Sequence, residues 1–167
     1  MKNSISPKIL KIIGLSFSIL FCFLFFTGFH PLVRGGKVIG VKDGDTIEIL
    51  YNGAPLRIRL EHIDAPEKSQ PWGKQSKMAC SDFCYRQYVV VKGNKFDRYK
   101  RLLGNVEISG GYSLNLSMLS NGHAWHFKKY SKNQQYAAEE TKARKARKGL
   151  WALPNPIPPW AWRKGQR

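Results

Sequence analysis

The sequence predicts an α+β chain, mainly β: a five-stranded barrel of the OB type with about three helices packed on it. Three observations carry that expectation. Short segments alternating apolar and polar residues recur through residues 37–108. Asn52-Gly53, between two of them, is a strong hairpin signal. The helical patterns lie mostly late in the chain, so the strands close on each other and the helices cover them.

The elements follow in order. Lys37 to Val41 reads as a strand after a linker ending at Gly35-Gly36, and Asp43-Gly44-Asp45 as a turn. Thr46 to Leu50 is the second strand. Leu56 to Glu61 is the third, with Leu56, Ile58 and Leu60 on one face and Arg57, Arg59 and Glu61 on the other. The alternation fades at His62-Ile63-Asp64, and Ala65-Pro66 ends the strand. Lys74 to Tyr85 reads as a helix, Val89 to Phe96 as the fourth strand and Leu102 to Ile108 as the fifth. Leu114 to Asn121 is a short helix with Ser113 as N-cap and Gly122 just past its end. Asn133 to Lys148 is the longest helix, closed by Gly149. Pro154-Asn155-Pro156-Ile157-Pro158-Pro159 reads as polyproline II, with Trp160 and Trp162 packing the tail back on the domain.

This reading divides the chain into an N-terminal segment (1–34), a globular domain (35–153) and a Pro/Trp-rich tail (154–167). Lys2, Lys8 and Lys11 precede an uncharged run from Ile12 to Phe29. Its 18 residues are just long enough to span a bilayer and longer than a usual signal-peptide core. Export is expected, the protein being either secreted or held in the membrane by residues 12–29 with the domain outside. Cys80 and Cys84 share one helix face, either as packed thiols or as a strained local disulfide.

The chain carries 28 Lys+Arg against 11 Asp+Glu, a net charge of +17. Such a field favours a polyanion. Four of the scarce carboxylates gather in two short segments, Asp43 and Asp45 in one, Asp64 and Glu67 in the other. Neighbouring strands would bring Asp45 and Asp64 onto one hard cation, with the Ala65 carbonyl as a further oxygen ligand. Glu67 would serve an attacking water. Arg59 and Arg101 would grip phosphate, since guanidiniums match phosphoryl oxygens bidentately. Asp43-Gly44-Asp45 alone is better explained as a turn. The alternative for Arg59 is an ion pair with Glu61 or Asp64. His62 and His126 read as structural. The basic run Lys142 to Lys148 suits a helix C-terminus and also backbone phosphate.

Five segments together resemble the staphylococcal (thermo)nuclease family. They are Val41-Lys42-Asp43-Gly44-Asp45-Thr46, Arg59 through Glu67, Asp97-Arg98-Tyr99-Lys100-Arg101, Asn121-Gly122-His123-Ala124-Trp125 and Lys148-Gly149-Leu150-Trp151. The resemblance covers about residues 37–153. It implies an OB-type barrel and a Ca²⁺-dependent phosphodiesterase that cleaves DNA and RNA at the P–O5′ bond, leaving 3′-phosphate ends. Asp45, Asp64 and the Ala65 carbonyl would hold the metal. Arg59, Glu67 and Arg101 would be catalytic. Arg98, Tyr99 and Tyr130 would bind substrate. Single strands are expected to be favoured, and a monomer is the default expectation. The pattern departs at Ala65, where threonine is common, and at Lys100, where glycine is usual. It departs also at Lys128, aligned with a base-flanking tyrosine, and in a shorter loop after Glu67.

Two other readings compete. A non-catalytic OB module would bind nucleic acid without cutting it. A membrane-surface adaptor would use the basic domain and tail and would have no need of the acidic cluster. For the enzyme, Lys at position 59 or 101 is expected to cost activity heavily while sparing the fold.

Overall fold

A computed structural model describes residues 33–167. The apolar run at 12–29 lies outside the described residues. The strands are β1 (Val33–Asp43), β2 (Thr46–Tyr51), β3 (Ala54–Leu60), β4 (Ile63–Asp64), β5 (Tyr88–Phe96), β6 (Leu102–Ile108), β7 (Tyr112–Ser113) and β8 (Trp125–His126). The helices are α1 (Gly73–Cys84), α2 (Leu114–Ser120), α3 (Gln134–Lys145), a 3-10 turn (Gly149–Ala152) and α4 (Pro159–Trp162).

Hairpin chemistry and register build the barrel. Asn52 (φ 49°) and Gly53 (φ 78°) make the left-handed turn that joins β2 to β3. The sheet runs β3-β2-β1-β5-β6, with β7 beyond, and parallel pairing of β3 with β6 closes five strands into a barrel. Alternating residues fill it: Ile47 and Ile49 from β2, Ile58 and Leu60 from β3, Val89 and Val91 from β5, Leu102 and Val106 from β6. Cys80 and Cys84 of α1 and Leu114, Met118 and Leu119 of α2 cap this core. A two-stranded β4–β8 pair lies beside it.

Several boundaries differ from the sequence expectation. β1 starts at Val33, so Gly35-Gly36 lie inside a strand rather than ending a linker. They pair with Val90 and Val89 of β5, and a Cβ on Gly36 would run into the Leu50 carbonyl oxygen. A close backbone approach, not a chain break, explains the glycines. α3 stops at Lys145, three residues early, because Arg147 (φ 51°) and Gly149 (φ 56°) turn the chain left-handed into the 3-10 turn. The tail is not all polyproline II. Pro158 holds that conformation (φ −70°, ψ 147°), but residues 159–162 form one helical turn. Pro159 is tolerated at the first helical position because it has no N–H to lose there.

Cys80 and Cys84 are free, buried thiols. The Cys84 thiol donates to the Cys80 carbonyl at 3.0 Å, the i to i−4 geometry of a helix. Hydrogen bonding with Cys84, together with burial, pushes the Cys80 thiol well above its ordinary value. His62 and His126 are structural, as the sequence suggests: His62 Nδ1 and His126 Nε2 both lie 2.9 Å from Ser131 Oγ.

One ionic anchor is less visible in the sequence. Glu140 of α3 is buried. It accepts the His126 backbone N–H at 3.1 Å and pairs with Arg144 at 3.2 Å and Lys128 at 3.4 Å. Arg144 in turn lies over the Trp151 ring, 3.8 Å from its centroid. Glu140→Ala should therefore cost about 2 kcal/mol, the usual loss when a buried donor is orphaned. Glu140→Gln, which keeps the acceptor, should cost less than half of that. Urea unfolding of both variants checks this; an alanine variant as stable as the parent would remove Glu140 as the anchor of β8.

Candidate active site

Register places the candidate residues. In the β2–β3 hairpin Thr46 pairs with Arg59, and at the barrel closure Arg59 pairs with Leu103 and Ile58 with Leu102. Asp45, just before Thr46, and Arg101, just before Leu102, are thereby brought to the same end of β3 as Arg59. After β3 the chain turns sharply at His62 (φ 68°), and β4 returns Asp64 beside Arg59.

Asp45 and Asp64 are both buried, and one nitrogen serves both. Arg59 Nη2 lies 2.9 Å from Asp45 Oδ2 and 3.0 Å from Asp64 Oδ1. Its Nη1 donates to the Leu60 carbonyl at 2.7 Å and the Ile63 carbonyl at 2.8 Å. The ion pair with Asp64 foreseen for Arg59 is present, extended to Asp45. Ala65 contributes its N–H, which donates to Asp45 Oδ2 at 2.8 Å. Burial raises the Asp64 carboxyl despite the opposing guanidiniums. Burial, with the Asp45 carboxylate beside it, pushes Asp43 up to about 7. These are the marks of carboxylates crowded together in a low-dielectric corner.

Arg101 reaches the corner from the other side. Its Nη1 lies 3.3 Å from Thr46 Oγ1, which donates to Asp45 Oδ1 at 3.1 Å. Asp97 aims it, accepting from Arg101 Nε at 2.8 Å and from its backbone N–H at 3.0 Å. Lys100, flagged because glycine is usual, sits at φ 59° in this turn. The left-handed conformation explains the preference for glycine, and the Asp97 carbonyl still accepts the Lys100 N–H at 3.0 Å. The positioning role of Asp97 was not read from the sequence, although an aspartate opening a turn four residues before an arginine was a usable signal.

The remaining candidates lie further out. Arg98 and Tyr99 are exposed, the Arg98 guanidinium donating to the Tyr99 hydroxyl at 2.6 Å, and Tyr99 lies under Arg101 at 5.4 Å. Tyr130 is 72% exposed and contacts Phe127 edge-on at 4.8 Å. Phe127 stacks on Trp160 of the tail at 5.8 Å with an 8° tilt between rings. Glu67 is half-exposed, and its partner is Arg163: Arg163 Nη1 donates to Glu67 Oε1 at 2.6 Å and Nη2 to Asp64 Oδ2 at 2.7 Å. Arg163 was missed altogether. Only its closeness to Trp160, read as a packing anchor, hinted that the tail reaches this site.

Among the described residues, no group of three or more His, Cys, Asp and Glu side chains stands in a metal-holding arrangement. Guanidiniums lie between the carboxylates instead. The donor chemistry nevertheless fits a hard cation. Asp45 and Asp64 are all-oxygen donors close enough to share one Arg59 nitrogen, and Glu67 is tied to the same corner through Arg163.

A five-stranded barrel carrying buried carboxylates and arginines at one rim defines a class, the OB-type fold with a charged site on its edge. The family model described as staphylococcal nuclease homologue matches residues 57–153. A micrococcal nuclease of Shigella flexneri is 38% identical over 142 residues, covering 79% of this chain and 82% of that protein. An uncharacterized endonuclease of Haemophilus influenzae is 39% identical over 132 residues, covering 78% and 74%. A probable staphylococcal-like nuclease of Oryza sativa subsp. japonica is 38% identical over 133 residues, covering 80% of this chain and 34% of its own length. The chain belongs to the staphylococcal nuclease family.

Burial alone would raise Asp97, but the hydrogen bonds from Arg101 and the Tyr99 N–H outweigh it and hold the carboxyl below its ordinary 3.8. A carboxyl depressed on folding stabilises the protein above its unfolded value, and that gain vanishes as pH falls through the folded one. Asp97→Asn should therefore lower the unfolding midpoint at pH 7, with the difference closing as pH falls below 3.8 and through the lower folded value. Midpoints measured across that range check it, and a difference that persists unchanged in acid would contradict it.

Proposed function

We propose that this chain is a Ca²⁺-dependent nuclease hydrolysing DNA and RNA to products with 3′-phosphate ends. The observation that carries the reading is the convergence of Asp45, Asp64, Arg59 and Arg101 on one rim, with Glu67 beside them. Relatives named as nucleases and a net charge of +17 support a nucleic-acid substrate. Single strands are favoured, because bases must lie open to meet Tyr130.

Asp45 and Asp64, with the Ala65 carbonyl, would hold the cation. When bound, Ca²⁺ supplies Lewis-acid charge to a phosphoryl oxygen. Glu67 orients an attacking water and draws its proton. The water oxygen bonds to phosphorus, the P–O5′ bond breaks, and the proton drawn by Glu67 is passed, through solvent, to the departing 5′ oxygen. Arg101, held by Asp97, lies against the phosphate and offsets the charge building on its oxygens. Arg59 reaches phosphate only once its carboxylate partners are neutralised by another positive charge. Arg98 and Tyr99 hold a neighbouring phosphate. The enzyme acts as a monomer outside the cytoplasm, secreted or held in the membrane by residues 12–29.

The geometry alters the expectation for lysine variants. Arg59 is 12% exposed and ties the β3–β4 turn to both aspartates. Arg59→Lys should therefore cost stability as well as activity, so it does not isolate chemistry. Arg101 has its anchors in a surface turn and gives the cleaner test. Arg101→Lys should lower turnover about 100-fold, the usual loss for one transition-state donor, with a smaller fall in unfolding midpoint than Arg59→Lys. Near-normal turnover would remove Arg101 from the chemistry.

The direct test incubates the purified protein with single-stranded DNA in Ca²⁺ and then in chelator. Degradation to 3′-phosphate ends in Ca²⁺ alone is expected, weakening as salt rises. Binding without cleavage in any divalent ion would make the chain a non-catalytic OB module.

A further inference from the structure

The tail is built into the site. Ile157 hands its carbonyl to Gln70 Nε2, and the Gln70 Oε1 accepts the Glu67 N–H at 3.1 Å. Pro159 is buried. Trp160 stacks on Phe127 and meets Trp125 edge-on at 5.6 Å. One helical turn later, Arg163 arrives between Asp64 and Glu67.

That placement divides the carboxylates between two guanidiniums. Asp64 Oδ1 faces Arg59 at 3.0 Å and Asp64 Oδ2 faces Arg163 at 2.7 Å. Both oxygens of Asp64 therefore carry a positive partner. The bonds to Asp64 and Glu67 hold the Arg163 guanidinium protonated against the opposing effect of burial. Arg59 is enclosed by the barrel rim, whereas the Arg163 side chain is 43% exposed and follows α4, outside the sheet. Of the two, Arg163 is the one that can leave without disturbing a strand.

We propose that Arg163, while also paired with Glu67, is an intramolecular counter-cation that competes with the divalent metal ion for Asp64. The proposal rests on the Ca²⁺ reading given above. A dication at Asp64 and a guanidinium on the same carboxylate repel, so each excludes the other. Trp160 keeps the tail seated while the Arg163 side chain turns away, so the competitor stays at high effective concentration. Apparent metal affinity is then lowered by the fraction of molecules in which Arg163 closes the site. Gln70 adds a second link, since it ties the tail backbone to the backbone of Glu67.

Calorimetric titration of the full chain with Ca²⁺, in mild detergent, tests this without reference to turnover. Arg163→Gln should bind Ca²⁺ roughly tenfold more tightly than the parent, as expected if the closed state holds about nine molecules in ten. Arg163→Lys, which keeps the charge, should fall between them. Equal affinities in the parent and Arg163→Gln would overturn the proposal while leaving Ca²⁺ binding in place. Weaker binding in Arg163→Gln would also overturn it, making Arg163 part of the cation site's support. Ca²⁺ binding by none of the three would overturn the metal reading itself and this proposal with it.

Discussion

Two carboxylates held out of water side by side stay ionised only with positive charge between them. Asp45 and Asp64 are in that position, and Arg59 Nη2 stands within 3.0 Å of both. The cost of leaving such a pair uncompensated is several kcal/mol, a large part of a small domain's stability. Much of the rim follows from this constraint. The parallel closure of β3 on β6 sets Arg59 between the β2 turn and Arg101. The left-handed residue at His62 returns Asp64 to it. Arg163 meets the remaining charge of Asp64 and that of Glu67.

Such an arrangement is stable but not self-sufficient. Arg59 spends both terminal nitrogens on protein oxygens, and Arg163 spends both on carboxylates. On the proposed reading, the site carries its own positive charge where a cation and a phosphate would sit. Exchange of partners, rather than occupation of a void, is the natural way for it to bind either. Arg101 differs, because Asp97 fixes it from the loop side and leaves it directed at Thr46.

The barrel was legible because period-two alternation and Asn52-Gly53 are local signals. The core residues Ile47, Ile49, Ile58 and Leu60 fall where alternation puts them. Asp45, Arg59, Asp64 and Arg101 were legible through their spacing around turns, and the barrel register does bring them together. Three features were not legible. The extension of β1 back to Val33 depends on pairing with β5, a non-local term that glycines disguise as linker. The helical turn at Pro159 was hidden by a proline run that locally favours polyproline II. Arg163 lies 96 residues from Glu67, and nothing in the sequence of a basic tail says which carboxylate it will meet.

The central claim is that Asp45 and Asp64 together form a cation site presently balanced by arginines. The most direct measurement is the unfolding midpoint as a function of Ca²⁺ concentration, for the parent and for Asp64→Asn. A ligand that binds the folded state alone stabilises it by about 2.7 kcal/mol at a hundredfold excess over its dissociation constant. The parent midpoint should climb steadily with Ca²⁺, and that of Asp64→Asn should stay flat. A flat parent, or an equal climb in Asp64→Asn, would contradict the account.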